Sequence, residues 1–287
     1  MPKLYSSGNH ERINLLILIL SAANLPYAVV KSEDGWSLWV KDAHLEKATQ
    51  KIDAYFQENP VLPPETHAPL TPSRPTTTGI GAAALLLLVH VAVTHYKAQD
   101  TVFAAFGANA DRIMSGDIRR TVTALMLHSG PVHLMGNLAG IILFGTAVCT
   151  LTGSGPGWLM ILLAGILGNL ANAVFYQTDH LSIGASTAVF GAVGILTAIR
   201  FRQKNTPSGW KNRAWLPLAA GIALLALLGT EGARTDIMAH LFGLLSGLII
   251  GTAYAYFIWR PLPKRYQNAC WLITAGVLVI AWLPLWP

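Results

Sequence analysis

The sequence predicts an all-α polytopic membrane protein that carries a small α+β soluble domain at its N-terminus. Three observations lead there. Apolar residues make up 53% of the 287 residues and charged residues only 12%, far from the balance of a soluble globular chain. Apolar segments follow one another from about residue 79 to the end. Between them and a mixed N-terminal stretch lies a run holding six prolines, at 60, 63, 64, 69, 72 and 75.

Residues 1–60 carry half of the acidic side chains and read as a helix, hairpin, helix domain. Leu15 to Ala23 suits a short helix, Tyr27 to Lys31 and Trp36 to Val40 suit strands around an Asp34-Gly35 turn, and His44 to Glu58 suits an amphipathic helix. The run Ile13 to Leu20 has the look of a signal sequence. Asn24 and Pro26 break it, and an acidic residue precedes Arg12, so it is assigned to the domain instead. Residues 61–78 then form a stiff, extended proline-rich linker.

After the linker come seven apolar segments, at about 79–96, 131–151, 157–175, 185–199, 214–230, 236–258 and 268–285. Several approach the roughly 20 residues that a spanning helix needs. The fourth is short and rich in glycine and alanine, which suits burial among other helices rather than contact with lipid.

Lysine and arginine set the orientation. With the N-terminus in the cytoplasm, fifteen of them fall inside and five outside, and the C-terminus ends outside. The net charge of +6 is thus explained by topology, and no nucleic-acid partner is expected. Cys149 and Cys270 both lie within apolar runs, so neither a disulfide scaffold nor a metal cluster is supported.

Polar groups inside such segments are costly and mark function. His133 and Asn137 sit early in the second segment, Ser186 at the start of the fourth, and His240 one turn into the sixth. One turn is roughly 6 Å at about 1.5 Å per residue. In the charge-derived topology these three helices run in the same direction, so the three sites share one shallow depth below the outer surface.

His133 and Asn137, four apart, share a helix face and can aim hydrogen bonds at one point. Gly243, Gly247 and Gly251 form a stripe that begins three residues after His240, and such stripes let another helix approach closely. The fourth segment offers Ala188, Gly191 and Gly194 just past Ser186. Contact between the two would bring His240 toward the serine.

Each motif alone has an ordinary packing explanation, since membrane serines bond their own helix carbonyls and glycine stripes pack helices. Their coincidence at one depth points to a serine hydrolase, with Ser186 activated by His240 as base. Gly184 allows close approach of backbone to substrate, and His133, Asn137 and backbone N–H groups near Ser186 suit an oxyanion site. His90 and His95 are rival bases without a small-residue stripe. Asp236 either orients the His240 imidazole or caps its helix beside Thr235.

At these residues the chain resembles the rhomboid intramembrane serine proteases, over roughly Arg120 to Gly251. The resemblance rests on His128-Ser-Gly-Pro-Val-His133-Leu-Met-Gly-Asn137, on Gly184-Ala-Ser186-Thr-Ala-Val-Phe190-Gly191, and on Ala239-His240-Leu-Phe-Gly243. It implies a six-helix core (79–258) that cleaves transmembrane protein substrates near the outer face of the bilayer by a Ser-His dyad. It implies Ser186 as nucleophile, His240 as base, and His133, Asn137 and the Ser186 N–H as oxyanion hole. Phe190 takes the position against which the family's histidine packs. No metal or cofactor is implied.

Residues 259–287 would add a loop and a seventh helix, a known family variant, and residues 1–60 resemble the cytoplasmic domain of some bacterial members. The setting implied is a bacterial inner membrane, with the N-terminus cytoplasmic and the C-terminus periplasmic. Two positions depart from the family pattern. Thr187 replaces the usual glycine after the nucleophile, where β-branching is expected to crowd the neighbouring helix. Arg119 stands where a tryptophan usually precedes the arginine of the first outer loop. The alternative is a catalytically silent rhomboid-like protein that binds transmembrane helices; a transporter is disfavoured because no inverted repeat with paired broken helices is present.

Overall fold

Residues 1–66 and 67–287 form two compact units in the computed structural model, which describes residues 1–7, 10–32, 35–59, 76–203, 215–217, 219–221, 223, 236–258 and 262–283. The smaller unit contains β1 (Lys3–Ser7), α1 (His10–Ala22), β2 (Tyr27–Ser32), β3 (Gly35–Val40) and α2 (Leu45–Glu58). Its strands form an antiparallel sheet in the order β1-β3-β2. Alternation along β3 turns Leu38 and Val40 inward, where Leu16 and Leu20 of α1 and Ala48 of α2 complete a core.

The apolar run of α1 is therefore the wall of a small domain: Ile13, Leu16 and Leu20 are all buried. β1 was not expected, because Lys3-Leu-Tyr-Ser-Ser is short and mostly polar. It is recruited by pairing with the tryptophan-bearing β3, a non-local gain that local sequence does not register. The predicted linker, from 61 as far as residue 75, lies outside the described residues.

The larger unit is helical. It runs α3 (Thr78–His95), α4 (Gln99–Phe106), β4 (Ala108–Asn109), α5 (Ala110–Met114), α6 (Arg120–Thr123), α7 (Pro131–Gly140), α8 (Thr146–Thr152), α9 (Ser154–Tyr176), β5 (Leu181–Ser182), α10 (Ser186–Gln203), α11 (Ile237–Ala253) and α12 (Lys264–Ala281). One π-turn, Ile141–Gly145, joins α7 to α8. Among the described residues, four stretches, Thr78–His95, Pro131–Thr152, Ser154–Tyr176 and Ile237–Ile258, are long and apolar enough to cross a membrane. The first four, the sixth and the seventh predicted segments correspond to helices here. The fifth, 214–230, falls largely outside the described residues.

α10 is the centre of this unit, with every residue from Gly184 to Thr197 buried, as its small side chains led one to expect. Its contact with α11 has a fixed register. A Cβ placed on Gly243 would strike the Thr187 carbonyl, one on Gly247 the Gly191 carbonyl, and one on Gly251 would lie 2.7 Å from Ile195 Cα. Partners advance together along both helices, so α10 and α11 run parallel, nearly backbone to backbone. α9 packs on the same pair antiparallel, with Gly165 against Ala188 and Gly168 against Thr187.

Two further features hold the frame. The seventh helix, α12, docks through Gln267, whose Oε1 accepts the Gly155 N–H at 3.1 Å and whose Nε2 donates to the Thr152 carbonyl at 3.3 Å. The long connection between α3 and α7, expected as a loop, is built from α4, β4, α5 and α6, and β4 pairs with β5 from the segment between α9 and α10. Arg120 is its hub, donating to Asp117 at 2.7 Å and to the carbonyls of Ala104 and Gly107 at 2.8 and 3.1 Å. Arg119 donates to the other Asp117 oxygen at 2.8 Å.

Burial alone would raise the Asp117 carboxyl, yet the hydrogen bonds from Arg119 and Arg120 and their positive charges hold it below the usual carboxylate range. A depressed folded-state pKa means stability present above about pH 4, the unfolded value, and lost as pH falls through the folded one. The stability difference between wild type and Asp117→Asn should therefore be constant at neutral pH and shrink below about pH 4; thermal unfolding in detergent across pH measures it. For the helix frame, Gly247→Val should cost about 1–3 kcal/mol by overpacking. Gly276→Ala, inside α12 with nothing within 4 Å, should cause no loss of stability and, by helix propensity, raise the unfolding midpoint slightly.

Candidate active site

Ser186 is the first residue of α10, His133 the third of α7 and His240 the fourth of α11. Each sits at the N-terminal end of its helix. Helix starts leave backbone N–H groups without intrahelical acceptors and carry a partial positive charge. Ser186 and His240 are both buried, at 7% and 5% exposure, which removes most competing water.

The segment leading into Ser186 is pinned by backbone contacts. β5 pairs with β4, with Ala108 opposite Ser182 and Asn109 opposite Leu181. Gly184 donates its N–H to the Ala124 carbonyl at 2.9 Å, and the Ala185 N–H points to His128 Nε2 at 3.4 Å. Gly184 has φ +130°, and a Cβ there would lie 2.7 Å from His133 Nε2 and 3.5 Å from Ser186 Oγ. Only glycine suits both the backbone conformation and the space, so Gly184 is what lets the His133 ring and the serine hydroxyl approach one another.

His133 Nδ1 is 3.1 Å from Ser129 Oγ. If the hydroxyl donates to Nδ1, the proton sits on Nε2, the nitrogen facing Gly184. Asn137, four residues on, donates one amide hydrogen to the His133 carbonyl at 2.8 Å. Its second amide hydrogen is left for another acceptor.

On α11, the His240 ring stacks on Phe190 of α10, with centroids 4.6 Å apart and an interplanar angle of 23°. Phe190 thereby fixes the imidazole plane. Among the described residues no hydrogen bond joins Ser186 to His240, and His240 Nδ1 is buried without a partner. Asp236 does not orient the ring. Its Oδ1 accepts the Ala239 N–H at 3.0 Å as a helix cap, and its Oδ2 accepts from Asn172 at 2.6 Å and lies 2.7 Å from His180 Nε2. Burial pushes the Asp236 carboxyl up, but the hydrogen bonds from His180, Ala239 and Asn172 bring it below its ordinary value.

Thr187 does not crowd the helix contact. It is 2% exposed, and its Cγ2 lies where a Cβ on Gly168 would be 2.5 Å away and one on Gly243 3.1 Å away. Two glycines, one on α9 and one on α11, leave the room that the β-branched methyl occupies. Gly243 so serves both the helix register and the threonine. The contact of Ser129 with His133 and the pairing of Asn172 and His180 with Asp236 were not foreseen from sequence. Ser129 carried a usable signal, its spacing of four from His133, while His180 lies 56 residues from Asp236 and had none. Among the described residues no group of three or more His, Cys, Asp or Glu side chains is placed to hold a metal ion.

The run of membrane-length apolar helices defines a polytopic membrane protein, with a buried serine and a buried histidine on two parallel helices. The Rhomboid domain family matches residues 115–257. YdcA of Bacillus subtilis, named for that family, is 31% identical over 154 residues, covering 54% of this chain and 74% of YdcA. Rhomboid protease GluP of the same organism is 28% identical over 212 residues, 71% of this chain and 40% of GluP. Inactive rhomboid protein 2 of Homo sapiens is 28% identical over 178 residues, 57% of this chain and 20% of that protein. The chain therefore spans most of YdcA but less than half of the other two, and it belongs to the rhomboid family.

Removing the cap tests the α11 anchor. Asp236→Ala should lower stability by about 1 kcal/mol, and Asp236→Asn, which keeps an oxygen for Ala239, by less; chemical unfolding in detergent measures both.

Proposed function

We propose that this chain is an intramembrane serine endopeptidase that hydrolyses peptide bonds of transmembrane protein substrates near the outer, periplasmic, face of a bacterial inner membrane. The observation that supports the reading is the parallel α10–α11 register, with Gly243 against Thr187, beside which Gly184 lies close to both the His133 ring and the Ser186 hydroxyl. In this reading residues 79–258 are the protease core, 259–287 a loop and an additional helix, 61–78 a linker and 1–60 a cytoplasmic domain. The fifteen-to-five distribution of lysine and arginine supports a cytoplasmic N-terminus and a periplasmic C-terminus.

The Ser186 hydroxyl attacks the carbonyl carbon of the scissile bond while His240 takes its proton. The tetrahedral oxyanion is held by the Ser186 N–H at the start of α10, by the second amide hydrogen of Asn137 and by His133 Nε2–H. His240 returns the proton to the departing amine as the C–N bond breaks, leaving an acyl ester on Ser186. Water, activated by the same imidazole, then hydrolyses the ester. Phe190 holds the imidazole plane, and the reaction uses a dyad, since Asp236 is engaged elsewhere. No metal or cofactor takes part.

A second reading, a silent rhomboid-like protein that binds transmembrane helices, draws support from the similarity to a relative named as inactive. The retained Ser186 and His240 favour the enzyme. With purified protein in detergent, a fluorophosphonate probe should label wild type and not Ser186→Ala. His240→Ala should slow both labelling and cleavage of a transmembrane substrate by about a hundredfold or more. Equal behaviour of wild type and Ser186→Ala would leave the silent reading standing.

A further inference from the structure

The seventh helix does more at its far end than fill lipid-facing space. Gln267 pins its start to the turn between α8 and α9. At its other end, Trp282, the residue that ends α12, packs on Phe106, the last residue of α4, with ring centroids 4.7 Å apart and planes inclined by 30°. On Phe106 also lies the Arg119 guanidinium, 5.5 Å from the ring centroid. The Phe106 ring is thus in contact with both an indole and a cation, two kinds of contact that aromatic rings favour.

Phe106 is a junction rather than an end point. Its carbonyl accepts the Thr123 hydroxyl at 2.6 Å, and the next residue, Gly107, gives its carbonyl to Arg120 at 3.1 Å. Two residues on, Ala108 is paired with Ser182 in the β4-β5 ladder, four residues before Ser186. Ala124, which follows Thr123, holds the Gly184 N–H. Both routes from Phe106 therefore end on the short segment that sets the position of the serine.

We propose that Trp282 is a positioning residue for catalysis: the seventh helix clamps Phe106, and through it the connection between α3 and α7, so that the 182–185 segment holds Ser186 in its reactive place. The proposal rests on the endopeptidase reading. Trp282→Ala removes the indole from Phe106 while leaving every group of the proposed site intact. A displacement of a fraction of an ångström at Ser186 affects the chemical step more than substrate binding.

The test compares Trp282→Ala, Trp282→Phe and Gln267→Ala with wild type in detergent. Trp282→Ala should lower kcat by about tenfold with KM little changed, and should slow fluorophosphonate labelling of Ser186 in proportion. Trp282→Phe, which keeps a ring on Phe106, should restore both. Hydrogen exchange of the amides at 104–110 should quicken in Trp282→Ala alone. Should Trp282→Ala fail to fold, Trp282→Leu, apolar but not aromatic, takes its place. Unchanged kcat, labelling and exchange in Trp282→Ala would overturn the proposal, as would an equal loss of kcat in Gln267→Ala with exchange at 104–110 unaltered. If wild type itself neither cleaves nor labels, the endopeptidase reading fails, while the exchange comparison still decides whether Trp282 clamps the connection.

Discussion

The contact between α10 and α11 is the constraint from which the rest of the larger unit follows. Gly243, Gly247 and Gly251 lie against Thr187, Gly191 and Ile195 with no room for a side chain between the backbones. In a bilayer there is no hydrophobic gain from bringing helices together, so close backbone packing has to supply the attraction. That packing is all or nothing in register. A shift of one residue would put a side chain where only glycine fits, so the relative height of Ser186 and His240 is set by atoms that take no part in chemistry. Phe190 then fixes the remaining freedom of the histidine, the rotation of its ring.

The serine is held from the other side by a different kind of interaction. The polar connection between α3 and α7 uses charge-assisted and backbone hydrogen bonds, with Arg120 collecting Ala104, Gly107 and Asp117. The β4-β5 pair and the Gly184–Ala124 bond carry that rigidity to the residues just before Ser186. Buried arginine is expensive unless every donor is used, and the carbonyls it satisfies would otherwise be left open by the short helical turns around it. The site is thus the meeting point of an apolar, glycine-registered helix pair and a polar, arginine-organised loop.

Much of this could be read from the chain. Helical spacing put His133 with Asn137 and Gly243 with Gly247, and small residues after Ser186 marked the helix that would be enclosed. The central part of α10 is enclosed as expected. The helices α4 to α6 were not anticipated, because they are four to eight residues long and held by Arg120 and by pairing to β5 rather than by their own periodicity. β1 escaped for a similar reason. Thr187 was misjudged in the opposite direction: its β-branch suggested a collision, but the space was prepared by Gly168 on α9, a helix that sequence spacing gave no reason to connect with it.

The sequence by itself determined which segments are apolar enough to leave water, which residues face one another within a helix, and which polar groups are too costly to be there by chance. These are local properties, fixed by hydropathy and by the 3.6-residue turn. Tertiary structure decided what no local pattern encodes: that α10 and α11 pack parallel at one register, that Gly168 makes room for Thr187, that Asp236 is spent on Ala239, Asn172 and His180, and that Trp282 reaches Phe106. Each is a contact between distant parts of the chain, whose geometry depends on how whole helices pack and not on the residues that happen to flank them.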